Sequence, residues 1–176
     1  MELTITTVTL LILIPLLIWR IYSRLRHLFA RQQSVLWKHW TGALGLPLIL
    51  LAAANAMRND LLAVSLMGSA ALAGGWLAVY ALKRTRFENA GLKLYFTPYA
   101  RIGIVVCMLF AARVIQIGVE LYLNRQSDTP RVIPQAEVMQ HPFTVLSFGL
   151  MLGYLAWYSY GLLRWRRTQQ PLPGQE

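Results

Sequence analysis

The sequence predicts an all-α membrane protein, a bundle of about five transmembrane helices with a short cytoplasmic β-hairpin. Hydrophobic residues make up 56% of the 176 positions and charged residues only 14%, and the apolar residues gather into five runs. Each run approaches the roughly 20 helical residues needed to cross a hydrocarbon core of about 30 Å. The runs are 3–19, 41–57, 61–82, 102–123 and 143–163. We assign 1–168 to a single transmembrane domain and 169–176 to a short cytoplasmic tail.

We expect the first run to be a retained span rather than a cleaved signal peptide. Glu2 stands where a signal peptide carries basic residues, the basic residues follow the run, and no A-x-A pattern precedes Arg20. The second run is short and contains Pro47. It predicts a tilted or kinked helix extended by Trp40.

Lysine and arginine residues predict the orientation of the bundle. Thirteen of them flank alternate ends of the runs on one side, and three lie on the other side. The larger group contains Arg20, Arg24, Arg26, Arg31, Lys38, Lys83, Arg84, Arg86, Lys93, Arg101, Arg164, Arg166 and Arg167, and the smaller one Arg58, Arg125 and Arg131. Because basic residues concentrate on the cytoplasmic side, we expect the N-terminus outside and the C-terminus in the cytoplasm.

Several classes of function lack the residues that they need. The net charge of +10 does not indicate nucleic-acid binding, since the basic residues lie at the ends of apolar runs instead of sharing a solvated face. Cys107 is the single cysteine, which excludes an intramolecular disulfide or a thiol relay. The three histidines, His27, His39 and His141, lie outside the runs, where they cannot ligate an intramembrane haem. Neither hydrolase nor nucleotide-binding motifs occur, so we expect no enzymatic activity, cofactor or metal.

Two cytoplasmic segments have predicted structure of their own. Residues 20–33 lack Pro and Gly and read as an amphipathic continuation of the first span along the membrane surface, an anchor or alternatively a partner site. Residues 85–96 read as a β-hairpin that turns at Asn89, Ala90 and Gly91. Pro98 suits the first turn of the fourth span. On the outer side, residues 124–142 contain three prolines and predict an irregular loop.

The hairpin and the fourth run resemble a known family. The residues concerned are Thr85-Arg86-Phe87-Glu88, Gly91, Tyr95-Phe96-Thr97-Pro98, Ile102-Gly103 and Ala112-Arg113. They are similar to the pattern T-R-F-E, G, Y-T-P, I-G and small-Arg of bacterial CcdC-like membrane proteins, a family of largely unknown function. The resemblance implies a bacterial inner-membrane protein, marks Thr85, Arg86, Phe87, Glu88, Gly91, Tyr95 and Pro98 as its hairpin residues, and implies no activity.

One candidate site lies inside the predicted membrane region. Arg113 is near the middle of the fourth run, and Gln116 and Glu120 follow it on the same helical face. An ionisable group at bilayer depth costs from about 2.5 to over 10 kcal/mol, so it needs compensating contacts. We expect Arg113 and Glu120 to be paired through Gln116 or a neighbouring helix. The functional interpretation is a polar interior site for a proton, an ion, a quinone or a lipid head group. The structural alternative is that Arg113 ties helices together by bonding carbonyls or hydroxyls such as those of Ser65, Ser69, Ser147 or Tyr154.

The third run carries a face of small residues that predicts close helix packing, with a ligand groove as the alternative. These residues are Ala70, Ala71, Ala73, Gly74 and Gly75.

Two functions follow from these features. The first is a non-enzymatic accessory or assembly subunit of the inner membrane, whose partners are membrane lipids and a second membrane protein, with no nucleic acid. The second is a small membrane carrier or lipid-handling factor that uses Arg113, Gln116 and Glu120. A carrier needs a water-accessible cavity that reaches Arg113, whereas an accessory subunit should have this residue sealed by helix contacts.

Overall fold

The computed structural model describes residues 5–28, 32–33, 36–90, 93–127 and 131–168. These residues form seven α-helices, one π-helical turn and three short strands. In chain order they are α1 (Ile5–Leu28), β1 (Gln32–Gln33), α2 (Leu36–Trp40), the π turn (Thr41–Gly45), α3 (Leu46–Ala56), α4 (Leu61–Arg84), β2 (Arg86–Ala90), β3 (Lys93–Thr97), α5 (Ala100–Gln126), α6 (Gln135–Gln140) and α7 (Pro142–Thr168). Among the described residues, α4, α5 and α7 are long and apolar enough to cross a membrane, and Thr41–Ala56 is a shorter apolar helix.

Helices α4 and α7 form the most extensive helix pair of the structure. Their backbones approach so closely that a Cβ added to Gly74 would overlap the carbonyl oxygen of Leu150, and one added to Gly153 would overlap the backbone of Ala71. The close packing predicted for the third run is therefore present, and α7 contributes its own G-x-x-x-G spacing. The neighbouring positions are Met67 with Gly149, Ala71 with Gly153 and Gly75 with Trp157. Since the numbers rise together, the two helices run parallel.

Helix α5 runs antiparallel to α7 and packs less extensively against it. The ring of Phe110 lies 5.9 Å from that of Phe148, and the next contact towards the C-terminus of α5 joins Arg113 to Thr144, earlier in α7. The same end of α7 packs against the start of α4 in a small core that contains Met67 and Val145. Arg113 therefore lies level with the first turns of α7.

The second predicted span begins earlier than expected and changes its helical pattern in the middle. Helix α2 leads into the π turn, and α3 follows with Pro47 in its first turn. Proline lacks an N–H group and clashes with the carbonyl four residues earlier, and a π turn is one way to accommodate it. Gly42 in this turn leaves room for Ser159 of α7.

The predicted hairpin is present, as part of a three-stranded antiparallel sheet of order β1-β3-β2. The predicted turn is wrong at two positions, because Asn89 and Ala90 belong to β2 and pair with Leu94 and Lys93. Gly91 and Leu92 lie outside the described residues. The pairing with β3 continues through residues 89 and 90, which the Asn-Ala-Gly sequence did not reveal.

Three further boundaries differ from the sequence predictions. The amphipathic helix predicted to reach Gln33 ends at Leu28, and Gln32 and Gln33 pair instead with Phe96 and Tyr95 of β3. Pro98 precedes α5 and its N-cap Tyr99, so it is not in the first helical turn. The predicted outer loop contains α6 and begins only after Gln126, because α5 continues three residues beyond the apolar run.

The sheet is fixed to the ends of the helices by side chains of the predicted hairpin. Thr85 Oγ1 donates to the carbonyl of Ala81 and therefore accepts from the hydroxyl of Tyr158 on α7, both at 2.9 Å. The rings of Phe87 and Trp165 stack at 4.4 Å. Phe96 is buried in a second core cluster, which lies at this end of the bundle. The sheet is thus a cap on the helix bundle.

Candidate functional site

Arg113, Gln116 and Glu120 lie on one face of α5, as their spacing requires, but their environments differ. The Arg113 side chain is only 6% exposed, whereas the Glu120 side chain is 53% exposed. Arg113 is covered by α7, and Glu120 stands about 10 Å farther along α5, beyond the first turn of α7. A buried cation therefore faces a carboxylate at the rim of the bundle.

Three interactions connect these side chains to each other and to α7. Arg113 Nε donates to the hydroxyl of Thr144 at 3.0 Å. Gln116 Nε2 donates to Glu120 Oε1 at 2.9 Å, and the same oxygen lies 3.6 Å from Arg113 Nη1. The guanidinium is thus oriented by a hydroxyl of one helix and attracted by a carboxylate of its own helix.

Thr144 was not among the partners proposed from the sequence for Arg113. The hydroxyl beside Arg113 Nε belongs to Thr144 and not to one of the named serines, so Arg113 does contact a hydroxyl of a neighbouring helix, but a different one. The serine hydroxyls donate to carbonyls in their own helices: Ser65 to Leu62, Ser69 to Leu66 and Ser147 to Thr144. Tyr154 is buried between α4 and α7, and its hydroxyl has no hydrogen-bond partner among the described residues.

The guanidinium of Arg113 keeps unused hydrogen-bonding capacity. Within the described part of the chain, Nη1 is buried and donates no hydrogen bond, since Glu120 at 3.6 Å is within ion-pair but not hydrogen-bond distance. An unsatisfied donor on a buried charged group costs more than about 1–3 kcal/mol. Such a group is a natural position for a hydrogen-bond acceptor from a ligand.

A cleft of about 450 Å³ between α4, α5 and α7 reaches Arg113. Its walls are mostly apolar, and Arg113, Gln116 and Ser147 supply its polar groups. The remaining lining residues are Ala70, Ala73, Leu109, Ala112, Phe143, Leu146 and Leu150. Ala70 and Ala73 of the small-residue face line this cleft, and Ala70 also lies against Gly149 of α7.

The cleft is polar at one end and apolar at the other. Gln116 lies nearest the C-terminal end of α5, whereas Leu109 lies about 10 Å towards its N-terminus, together with Leu150 of the antiparallel α7. A ligand that follows this cleft would place a polar group at Arg113 and an apolar chain beside Leu109 and Leu150. This arrangement fits an amphiphile.

A second, smaller cavity of about 280 Å³ lies between α1 and α5 and has almost exclusively apolar walls. Its lining residues are Leu13, Ile14, Leu17, Ile115, Gly118, Val119 and Tyr122. It lacks a charged group, so nothing in its lining selects a ligand by charge.

The second group of predicted residues lies at the other end of the bundle. Thr85 is the C-cap of α4, Arg86, Phe87 and Glu88 belong to β2, and Tyr95 belongs to β3. Pro98 is buried beside them, and Gly91 lies outside the described residues. Arg113 is about 20 Å along α5 from its start near this sheet, so the two groups do not form one site. The described residues contain no cluster of three potential metal ligands.

The comparison with protein families extends the resemblance of the hairpin and the fourth run to nearly the whole chain. The model of the family described as "DUF1453: CcdC protein" matches residues 4–171. The chain belongs to this family. The match includes the five apolar runs except for Leu3, and it includes the sheet and the Arg113 cleft. No curated protein and no solved structure matches the chain.

Proposed function

We propose that the protein is a non-enzymatic, five-span protein of the bacterial inner membrane that binds a membrane amphiphile in the Arg113 cleft. The observation that carries this proposal is the cleft itself, which extends from apolar walls to a buried, incompletely hydrogen-bonded arginine. Arg113 is only 6% exposed and contacts Thr144 of α7, which fits a structural role, but it also lines the cleft, which a structural role does not require. Lipid handling, the second of the two functions drawn from the sequence, is therefore the one that the geometry supports best.

The proposed topology has the N-terminus outside and the C-terminus in the cytoplasm. Parallel α4 and α7 bring Lys83 and Arg84 to the same end of the bundle as Arg166 and Arg167. Arg167 also lies over the ring of Trp40, an arrangement common where a membrane meets water. This basic end carries the sheet, which supports a cytoplasmic position for the predicted hairpin.

Lipid retention can be measured by native mass spectrometry of the detergent-purified full chain. Ala73 lines the cleft and is exposed, so Ala73→Phe should fill the cleft and reduce the fraction of protein that retains a phospholipid. Ala52 on α3 is also exposed but does not line the cleft, and Ala52→Phe is the matched control. Equal retention in both variants and the parent protein would contradict the proposed function.

A second candidate role, an accessory or assembly subunit, is supported by the position of β2 in the sheet. β2 pairs with β3 on one side only, and its other edge has no strand partner among the described residues. Such edges can accept a strand from another protein. A photo-cross-linking residue at exposed Arg86 should capture a protein partner, whereas the same residue at exposed Leu72 should capture lipid. Lipid adducts alone at both positions would argue against this role.

A further inference from the structure

Arg113 in the cleft and Glu120 beside its lining residue Gln116 indicate which head group the cleft accepts. Arg113 lines the cleft, and Gln116, which also lines it, donates to Glu120 and so holds the carboxylate at the rim. We propose that the cleft binds a zwitterionic aminophospholipid, with its phosphate at Arg113 and its ammonium at Glu120. This inference rests on the proposed function and specifies its ligand.

The unsatisfied donor of the Arg113 guanidinium indicates where the phosphate binds. Thr144 fixes the orientation of Arg113 through Nε, while the buried Nη1 has no hydrogen-bond acceptor among the described residues. A phosphate oxygen is a charged acceptor with the geometry that arginine recognises. Because Nη1 is buried, a phosphate oxygen reaches it only when the guanidinium or the side chains that cover it shift, and the bond from Nε to Thr144 can persist in that movement.

The ammonium position follows from the carboxylate. Glu120 is half exposed, receives one hydrogen bond from Gln116, and lies 3.6 Å from Arg113 Nη1. It retains acceptor capacity for a primary ammonium, which has three donors. A quaternary ammonium has none, and an anionic head group without an amine would be repelled by Glu120. The pair therefore discriminates both by net charge and by hydrogen bonding.

The depth of the two charges matches the order of groups in such a lipid. In an aminophospholipid the phosphate is attached next to the acyl chains and the amine is at the tip of the head group. Arg113 lies beside the apolar part of the cleft, and Glu120 stands farther towards the C-terminal end of α5. An acyl chain can then lie against Leu109 and Leu150 while the head group spans Arg113 and Glu120.

The test uses native mass spectrometry of the delipidated full chain with three phospholipids that share the same acyl chains. These are phosphatidylethanolamine, phosphatidylcholine and phosphatidylglycerol, at equal concentrations. We expect the parent protein to retain phosphatidylethanolamine about tenfold better than the other two, the effect of one additional charged hydrogen bond. Glu120→Gln should abolish this preference and raise the relative retention of phosphatidylglycerol. Arg113→Gln should lower retention of all three lipids.

The matched control is Glu137→Gln on α6, a carboxylate of similar exposure that pairs with Arg131 at 3.0 Å and has no bond to a residue that lines the cleft among the described contacts. It should leave the lipid preference unchanged. If the parent protein prefers phosphatidylglycerol or phosphatidylcholine while Ala73→Phe still reduces retention, the head-group assignment is wrong and the proposed function stands. If all three lipids bind equally and Ala73→Phe has no effect, the protein carries unspecific boundary lipid only, and both proposals fail. The selectivity of the parent protein decides the head group even where a variant does not fold.

Discussion

Arg113 shows how a single charged side chain can be accommodated in an apolar helix. Its head group does not remain level with its Cα but reaches along α5 towards Glu120 and across to Thr144 at the start of α7. Long basic side chains commonly extend in this way towards a more polar environment. The sequence predicted the pair because the spacing of residues 113, 116 and 120 is a local property of one helix. It could not predict Thr144, because that contact depends on how far α7 is displaced along α5.

At the residue scale, we expect Arg113 and Glu120 to be energetically coupled. Arg113→Leu removes a costly buried charge, whereas Glu120→Leu leaves that charge without its carboxylate neighbour and should be the more destabilising single change. The double variant should be more stable than the sum of the single effects predicts, with a coupling of about 0.5–3 kcal/mol. This coupling free energy can be measured by thermal unfolding in detergent. The proteins compared are the parent, both single variants and the double variant.

The coupling test has a control variant and an outcome that would contradict it. Ser69→Ala, which affects only a hydroxyl bonded within its own turn, should change the stability little and serves as the control. Additive effects of the two leucine substitutions would show that Arg113 and Glu120 act independently despite their 3.6 Å separation.

At the scale of elements, the contact between α4 and α7 determines where the cleft lies. Glycine and alanine allow the two backbones to touch along several turns, and no hydrophobic driving force holds helices together within a lipid phase. Close packing of small residues must therefore supply much of the association energy. Leu146 and Leu150 of α7 line the cleft, which remains open where α5 packs less closely against α7.

The element-scale prediction compares two glycines of α4. Gly74→Ala should be destabilising by about 1–3 kcal/mol or more, because the new methyl group overlaps the backbone of α7. At Gly68 nothing lies within 4 Å of the added Cβ, so Gly68→Ala should be neutral or stabilising by up to about 1 kcal/mol through the lower entropy of alanine. Unfolding in detergent followed by circular dichroism gives both values. A Gly74→Ala variant as stable as Gly68→Ala would mean that the two helices are not in van der Waals contact there.

At the scale of the whole molecule, the bundle has two chemically different ends. One end combines the sheet with the basic termini of α4 and α7, and the other contains Asp60, Arg131 and Glu137. The cleft opens its polar part towards this second end. In the proposed orientation, a lipid head group at Arg113 would belong to the outer leaflet.

The topology can be tested with reporter fusions. Fusions after Lys93 and Arg167 should report the cytoplasm, and a fusion after Arg131 should report the outer side, because thirteen of sixteen flanking basic residues lie on the predicted inner side. Paired cytoplasmic and periplasmic reporters at each position serve as mutual controls. A cytoplasmic signal after Arg131 would exclude the five-span arrangement and point to the short second span as the error.

The sequence by itself determined the membrane class, the α4, α5 and α7 spans, the hairpin, the family resemblance and the candidate residues on α5. Each of these depends on hydropathy, residue spacing or local motifs, which are properties of consecutive residues. Only the tertiary structure decided the addition of β1 to the sheet, the position of Asn89 and Ala90 in β2, the partner Thr144 and the cleft at Arg113. These features depend on the relative displacement of elements distant in sequence, which is set by the mutual fit of small residues and backbones rather than by any one segment.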